Sequence, residues 1–200
     1  MSLQRVKLTA TEFAAICALS ANHARRLELY EGDIYEMAPS SQLASVITWR
    51  LSSFLSVHVL RADLGIMHSP EGGIRFAENT VLAPDIAFIP KERITGIQAA
   101  RFATDLPALV VEVVSPSDSH AQVREKAARY LRFGVAMVWI VFPKARTLEQ
   151  HTLLDDQVRI VTLGEADRLE GGSILPDFSL PLREVFDVGY PITEETEEES

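Results

Sequence analysis

The sequence predicts an α/β fold, with a central mixed sheet, flanking helices and an antiparallel C-terminal extension. Three observations carry this. Residues 42–61 repeat apolar side chains at helical spacing. Short apolar runs at 80–89, 109–114 and 136–142 read as buried strands. Beyond Pro143, the segments 147–153 and 158–163 lie either side of an Asp155-Asp156 turn and read as an antiparallel pair.

The elements follow in order. Thr9-Ala10-Thr11-Glu12 has capping-box spacing, so a short helix with Phe13, Ile16 and Cys17 on one face follows it. Leu27-Glu28-Leu29-Tyr30 alternates like a strand, Glu31-Gly32-Asp33 turns, and Ile34–Met37 returns. Ser40-Ser41 caps the long helix. Residues 65–68 and 74–76, joined by Pro70-Glu71-Gly72-Gly73, read as a hairpin. The strand ending at Val114 stops at Ser115-Pro116-Ser117-Asp118-Ser119, where the X-Pro step breaks it and the polar residues cap a helix from His120 to Phe133. Gly134 ends that helix before the 136–142 strand.

Two hundred residues, 47% hydrophobic, suit one domain with a sizeable core. We place it at residues 1–190, with 191–200 as an acidic tail whose composition predicts disorder. The net charge of −9 argues against a general nucleic-acid coat protein. Without the five glutamates of the tail the remainder carries −4, which leaves room for a local basic surface. Cys17 stands alone, so neither an internal disulfide nor a cysteine-rich zinc site is available. No apolar run of membrane-spanning length is free of charge, and no signal-like stretch follows the N-terminus; a cytoplasmic protein with no membrane partner is expected.

The chemistry concentrates in two acids and a lysine. Asp85, after Pro84, and Glu112, amid valines, each interrupt an apolar strand-like run. A buried carboxylate without a partner is costly, so each needs a counter-charge or a metal. Their oxygens are hard ligands suited to Mg²⁺ or Mn²⁺. Lys126 shares a helical stripe with Val123, Tyr130 and Phe133, the face that should meet the sheet. There it could position an attacking water or offset charge on a phosphate. Bland readings stand beside these: Asp85 as a cap for a loop amide, and Glu112 as a structural ion pair with Lys126. Arg124, Arg129 and Arg132 read either as an exposed helix face or as phosphate contacts for DNA. The five histidines have no ligand spacing.

Read together, Leu27-Glu28-Leu29-Tyr30-Glu31-Gly32, Pro84-Asp85-Ile86-Ala87 and Val111-Glu112-Val113-Val114-Ser115-Pro116-Ser117-Asp118 resemble the Uma-type restriction endonuclease family, abundant in cyanobacteria, within the PD-(D/E)XK nuclease superfamily. The likeness continues through Arg124-Glu125-Lys126, Tyr130, Gly134-Val135, Val138-Trp139 and Leu175–Pro181. It implies a restriction-endonuclease-like core, Mg²⁺- or Mn²⁺-dependent cleavage of DNA, and a homodimer. It carries over Asp85 and Glu112 as metal ligands, Glu28 as a further acid, and Lys126 as the catalytic lysine, because position 114, the usual place of that lysine, is Val. Two positions depart from the family pattern: residues 40–48 hold no histidine, and Phe142 stands where relatives have Asp. The rival functions are a catalytically silent binding module and a metal-dependent RNase.

Overall fold

A computed structural model describes residues 6–193 apart from 98, 100 and 101; the acidic residues 194–199 lie outside the described residues. Its helix α1 (Ala10–Cys17) opens with the expected capping box, in which the Thr9 N–H donates to the Glu12 carboxylate at 2.8 Å and the Glu12 N–H to Thr9 Oγ1 at 3.3 Å. Strands β1 (Leu27–Tyr30) and β2 (Asp33–Glu36) form a hairpin whose turn residues Glu31 and Gly32 both have positive φ. Two left-handed residues give the type I′ turn that matches strand twist.

Helix α2 (Gln42–Arg61) starts at Ser41, whose Oγ accepts the Ala44 N–H. Ala44, Ile47, Leu51, Leu55 and Val59 form its buried stripe. By length and composition alone this helix is also apolar enough to cross a membrane, although Arg50 interrupts its apolar run. Its stripe is instead core, each large side chain contributing about 1.5–3 kcal/mol of burial.

Two sheets follow. The smaller has the order β2-β1-β5-β4, with β4 (Ile74–Ala77) and β5 (Thr80–Leu82). The larger has the order β10-β9-β8-β7-β6-β3, with β3 (Gly65–His68), β6 (Ile86–Pro90), β7 (Leu109–Val113), β8 (Met137–Phe142), β9 (Thr147–Leu154) and β10 (Gln157–Gly164). All its pairings are antiparallel except β7 with β8. Those two are joined by α3 (His120–Arg132), the crossover that parallel neighbours require. Gly134, at φ +93°, ends α3 with bonds from its own N–H to Leu131 and from the Val135 N–H to Tyr130, a Schellman closure. The antiparallel C-terminal pair therefore extends the central sheet. A last small hairpin, β11 (Arg168–Glu170) with β12 (Ser179–Pro181), and the short α4 (Leu182–Phe186) close over the α2 side.

Two expectations need correction. Residues 65–68 and 74–76 do not pair with each other: β3 pairs with β6, and β4 with β5. The connection at Glu78-Asn79 is shorter than the one through Pro70–Gly73 and closes at lower entropic cost, so the longer loop carries the chain between sheets. Nor is 80–89 one strand. It breaks at Ala83-Pro84-Asp85, where proline has no N–H to give a ladder, and β5 and β6 belong to different sheets.

Both faces of the central strands are covered, which explains their unbroken apolar character. Leu109, Val111 and Val113 face α2 and the C-terminal segment. Val110 and Val114 face α3 and the smaller sheet, and alternation puts Glu112 on that side too.

Candidate active site

The break at Asp85, the Glu112 strand and helix α3 converge with β1 on the floor of one cavity of about 610 Å³. Glu28 projects from β1, Asp85 from the crossing between sheets, Glu112 from β7, and Lys126 from the inward face of α3. Lys126 Nζ lies 3.0 Å from Glu28 Oε1 and 3.0 Å from Glu112 Oε1. Tyr130, one turn along α3, donates its hydroxyl to Glu112 Oε1 at 2.7 Å. The Ala83 N–H donates to Glu28 Oε1 at 2.9 Å, and the Val113 N–H to Asp85 Oδ2 at 2.8 Å. The side chains of all four charged residues are only 7–14% exposed.

Depth sets the electrostatics. Burial pushes the Glu112 carboxyl up to about 7; Lys126 opposes this, while Asp85 and Glu28 add to it. Asp85 is also raised, by burial, against the Val113 N–H and the charges of Lys126 and Arg26. For Lys126, burial works against the ammonium, but Glu112 and Glu28 outweigh it and hold the pKa above that of a free lysine. Three acids face the Lys126 ammonium and the more distant Arg26 guanidinium, so with all three ionised the cluster carries excess negative charge, which is the condition a cation relieves.

Glu28 Oε1, Glu112 Oε1 and Asp85 Oδ2 already accept hydrogen bonds, so a cation held here would use the second oxygen of the acids that share it. Among the described residues no group of three or more His, Cys, Asp and Glu is arranged as a metal cage. A two-carboxylate site still fits the chemistry of Mg²⁺, which keeps several waters and completes its shell with substrate phosphate.

The four candidate residues are thus brought together. The three α3 arginines are not among the residues lining the cavity. Arg124 is held by Glu149 through two bonds of 3.0 and 2.5 Å. Arg129 lies over the Tyr30 ring at 3.9 Å and pairs with Glu125. Arg132 is exposed. His120 packs edge-on against Phe142. Two contributors had no assigned role in the sequence reading. Tyr130 was visible on the Lys126 stripe, one turn on, and its hydroxyl needed a partner. Arg26 lines the cavity with Nη2 3.8 Å from Asp85 Oδ1, and nothing in its spacing marked it.

The family model named Uma2 and described as “Putative restriction endonuclease” matches residues 10–183. The chain belongs to the Uma2 family. No curated protein matches it. Among solved structures, a crystal structure described as a “putative nuclease belonging to DUF820” from Anabaena variabilis is similar, with a TM-score of 0.74 and 18% identity over 90% of this chain and 97% of that one. The Uma2 chain therefore has a restriction-endonuclease-like fold. Its family is one of nucleases, whose substrates are nucleic acids.

Proposed function

We propose that this Uma2 protein is a divalent-metal-dependent endonuclease that hydrolyses DNA phosphodiester bonds. The observation that carries the reading is the meeting of Glu28, Asp85 and Glu112 around Lys126 at the floor of a cavity, in a chain of a nuclease family. Asp85 and Glu112 would hold Mg²⁺ or Mn²⁺. Such an ion supplies Lewis-acid polarisation of a phosphoryl oxygen and lowers the pKa of water. Glu28 and Glu112 hold the Lys126 ammonium in place, where it orients the attacking water and offsets charge building on the phosphoryl oxygens. Tyr130 fixes the Glu112 rotamer through its hydroxyl bond. Exposed Arg132 on α3 reaches outward toward a flanking phosphate; Arg124 and Arg129 would join it only by giving up their present partners. A homodimer is part of this reading, and the exposed α2 side chains Val46, Trp49, Val57 and Leu60 offer it an apolar face.

The metal site is tested by calorimetry. Only the ionised Glu112 carboxylate binds a cation well, so Mn²⁺ affinity should climb as pH rises through about 7. Binding at pH 6 should release close to one proton, read from buffers of different ionisation enthalpy. Asp85→Asn should abolish binding, and Glu112→Gln should weaken it strongly and remove the pH dependence. Unchanged Mn²⁺ binding in both variants refutes the assignment.

A further inference from the structure

The cations that line the cavity among the described residues are Arg25, Arg26 and Lys126, with His23 beside them. Arg25 is fully engaged: it binds Glu36 through Nε and Nη2 at 3.0 and 2.6 Å, and Asn22 through Nη1 at 2.9 Å. His23 Nε2 lies 3.1 Å from the Ala18 carbonyl. Lys126 is held between two acids. Arg26 is different. Its Nη1 donates to Ser40 Oγ at a long 3.3 Å, and Nη2 stands 3.8 Å from Asp85, at the limit of ion pairing. The side chain is 40% exposed. Its backbone carbonyl accepts the Met37 N–H, so the residue is anchored at the open end of the β1–β2 hairpin while its guanidinium faces the cavity.

A guanidinium presents a planar fork of donors that matches two phosphate oxygens, and its geometry here leaves that fork without a bidentate partner. Ser40 Oγ accepts from Arg26 and keeps its own O–H to donate. The surroundings are acidic: Glu71, Asp85 and Asp118 also line the cavity, and Arg26 acts on the charges of Glu71 and Asp85. A polyanion entering this space needs a cation that can meet it without breaking a close salt bridge.

We infer that Arg26 and the Ser40 hydroxyl form a phosphate-binding subsite beside the acid cluster, which takes the non-bridging oxygens of a nucleic-acid phosphodiester. The location rests on the nuclease reading, but the binding does not require a metal. Asp85 is the group that competes for Arg26, so neutralising it releases the guanidinium to the ligand.

The test is fluorescence anisotropy of a fluorescein-labelled duplex oligonucleotide, in EDTA, across a salt series. Arg26→Ala should weaken binding at low salt by about tenfold and reduce the slope of log K against log salt by about 0.9, the loss of one phosphate contact. Arg26→Lys should keep the slope, because charge is retained, and recover only part of the affinity, because the fork is lost. Asp85→Asn should strengthen metal-free binding several-fold. An Arg26 that merely offsets Asp85 predicts a lower melting temperature in Arg26→Ala with the wild-type slope, and that result overturns the subsite. Absence of wild-type binding at low salt overturns it too. The two readings separate cleanly: an Arg26-dependent slope in a protein that never cleaves with Mn²⁺ leaves the subsite standing and removes the nuclease, whereas metal-dependent cleavage with an unchanged slope does the reverse.

Discussion

Glu112→Gln is expected to raise the melting temperature above pH 7 while cleavage falls by at least about a hundredfold, since losing a ligand should cost no less than losing a residue that only supports one. The sign follows from linkage. The folded carboxyl titrates at about 7, above its ordinary 4.5. Its contribution to stability is therefore fully present below about pH 4.5 and is lost as pH rises through 7. Ionising this group costs about 3 kcal/mol by pH 8, from the size of the shift. Glutamine pays none of that, and Lys126 keeps Glu28 as its partner at 3.0 Å. The gain should be absent at pH 4 and reach several degrees at pH 8, since each kcal/mol is worth about 2–4 °C in a chain of this size. Differential scanning calorimetry at the two pH values reads it directly. A melting temperature lowered equally at both would mean that Glu112 serves as a structural brace for Lys126.

Lys126→Ala should have the opposite effect on stability. It leaves Glu28 and Glu112 buried without their counter-charge, which costs about 3–5 kcal/mol when one partner of a buried pair is removed. The loss should shrink as pH falls through about 7, where Glu112 takes up a proton. Added Mn²⁺ should raise the melting temperature more in this variant than in the wild type, because a bound cation replaces the missing ammonium. Cleavage should fall steeply even where Mn²⁺ restores the fold. Equal destabilisation at every pH, with no extra response to Mn²⁺, contradicts a shared cation site.

Much of this was legible from local chemistry. Thr9 and Glu12 announced α1 because a capping box is a contact between residues three apart. The α2 boundaries, the Asp155-Asp156 turn and the Gly134 stop are likewise local. Glu112 and Lys126 stood out because a charge within an apolar run or stripe must be paired, and periodicity alone says they face each other's element. What failed to show depended on distant partners. The pairing of β3 with β6 is a choice between sheets, and adjacent segments at 65–68 and 74–76 hid it. Arg124 is neutralised by Glu149 on β9, and Arg129 is covered by Tyr30 on β1, neither of which helix spacing can reveal. Arg26 sits in a connecting segment before β1, and its approach to Asp85 exists only because the two sheets meet at the Ala83-Pro84-Asp85 crossing.

The central claim is that Asp85 and Glu112 support metal-dependent cleavage of DNA, and nicking of supercoiled plasmid tests it most directly. Wild-type protein, Asp85→Asn and Glu112→Gln would be incubated with plasmid in Mg²⁺, Mn²⁺ or EDTA, with folding of each verified by its melting transition. The account predicts conversion to open-circular and then linear DNA by the wild type with either metal, none in EDTA, and none above background by the folded variants. Nicking that persists in EDTA or in Asp85→Asn, or a folded wild-type protein that leaves the plasmid intact in both metals, would contradict it.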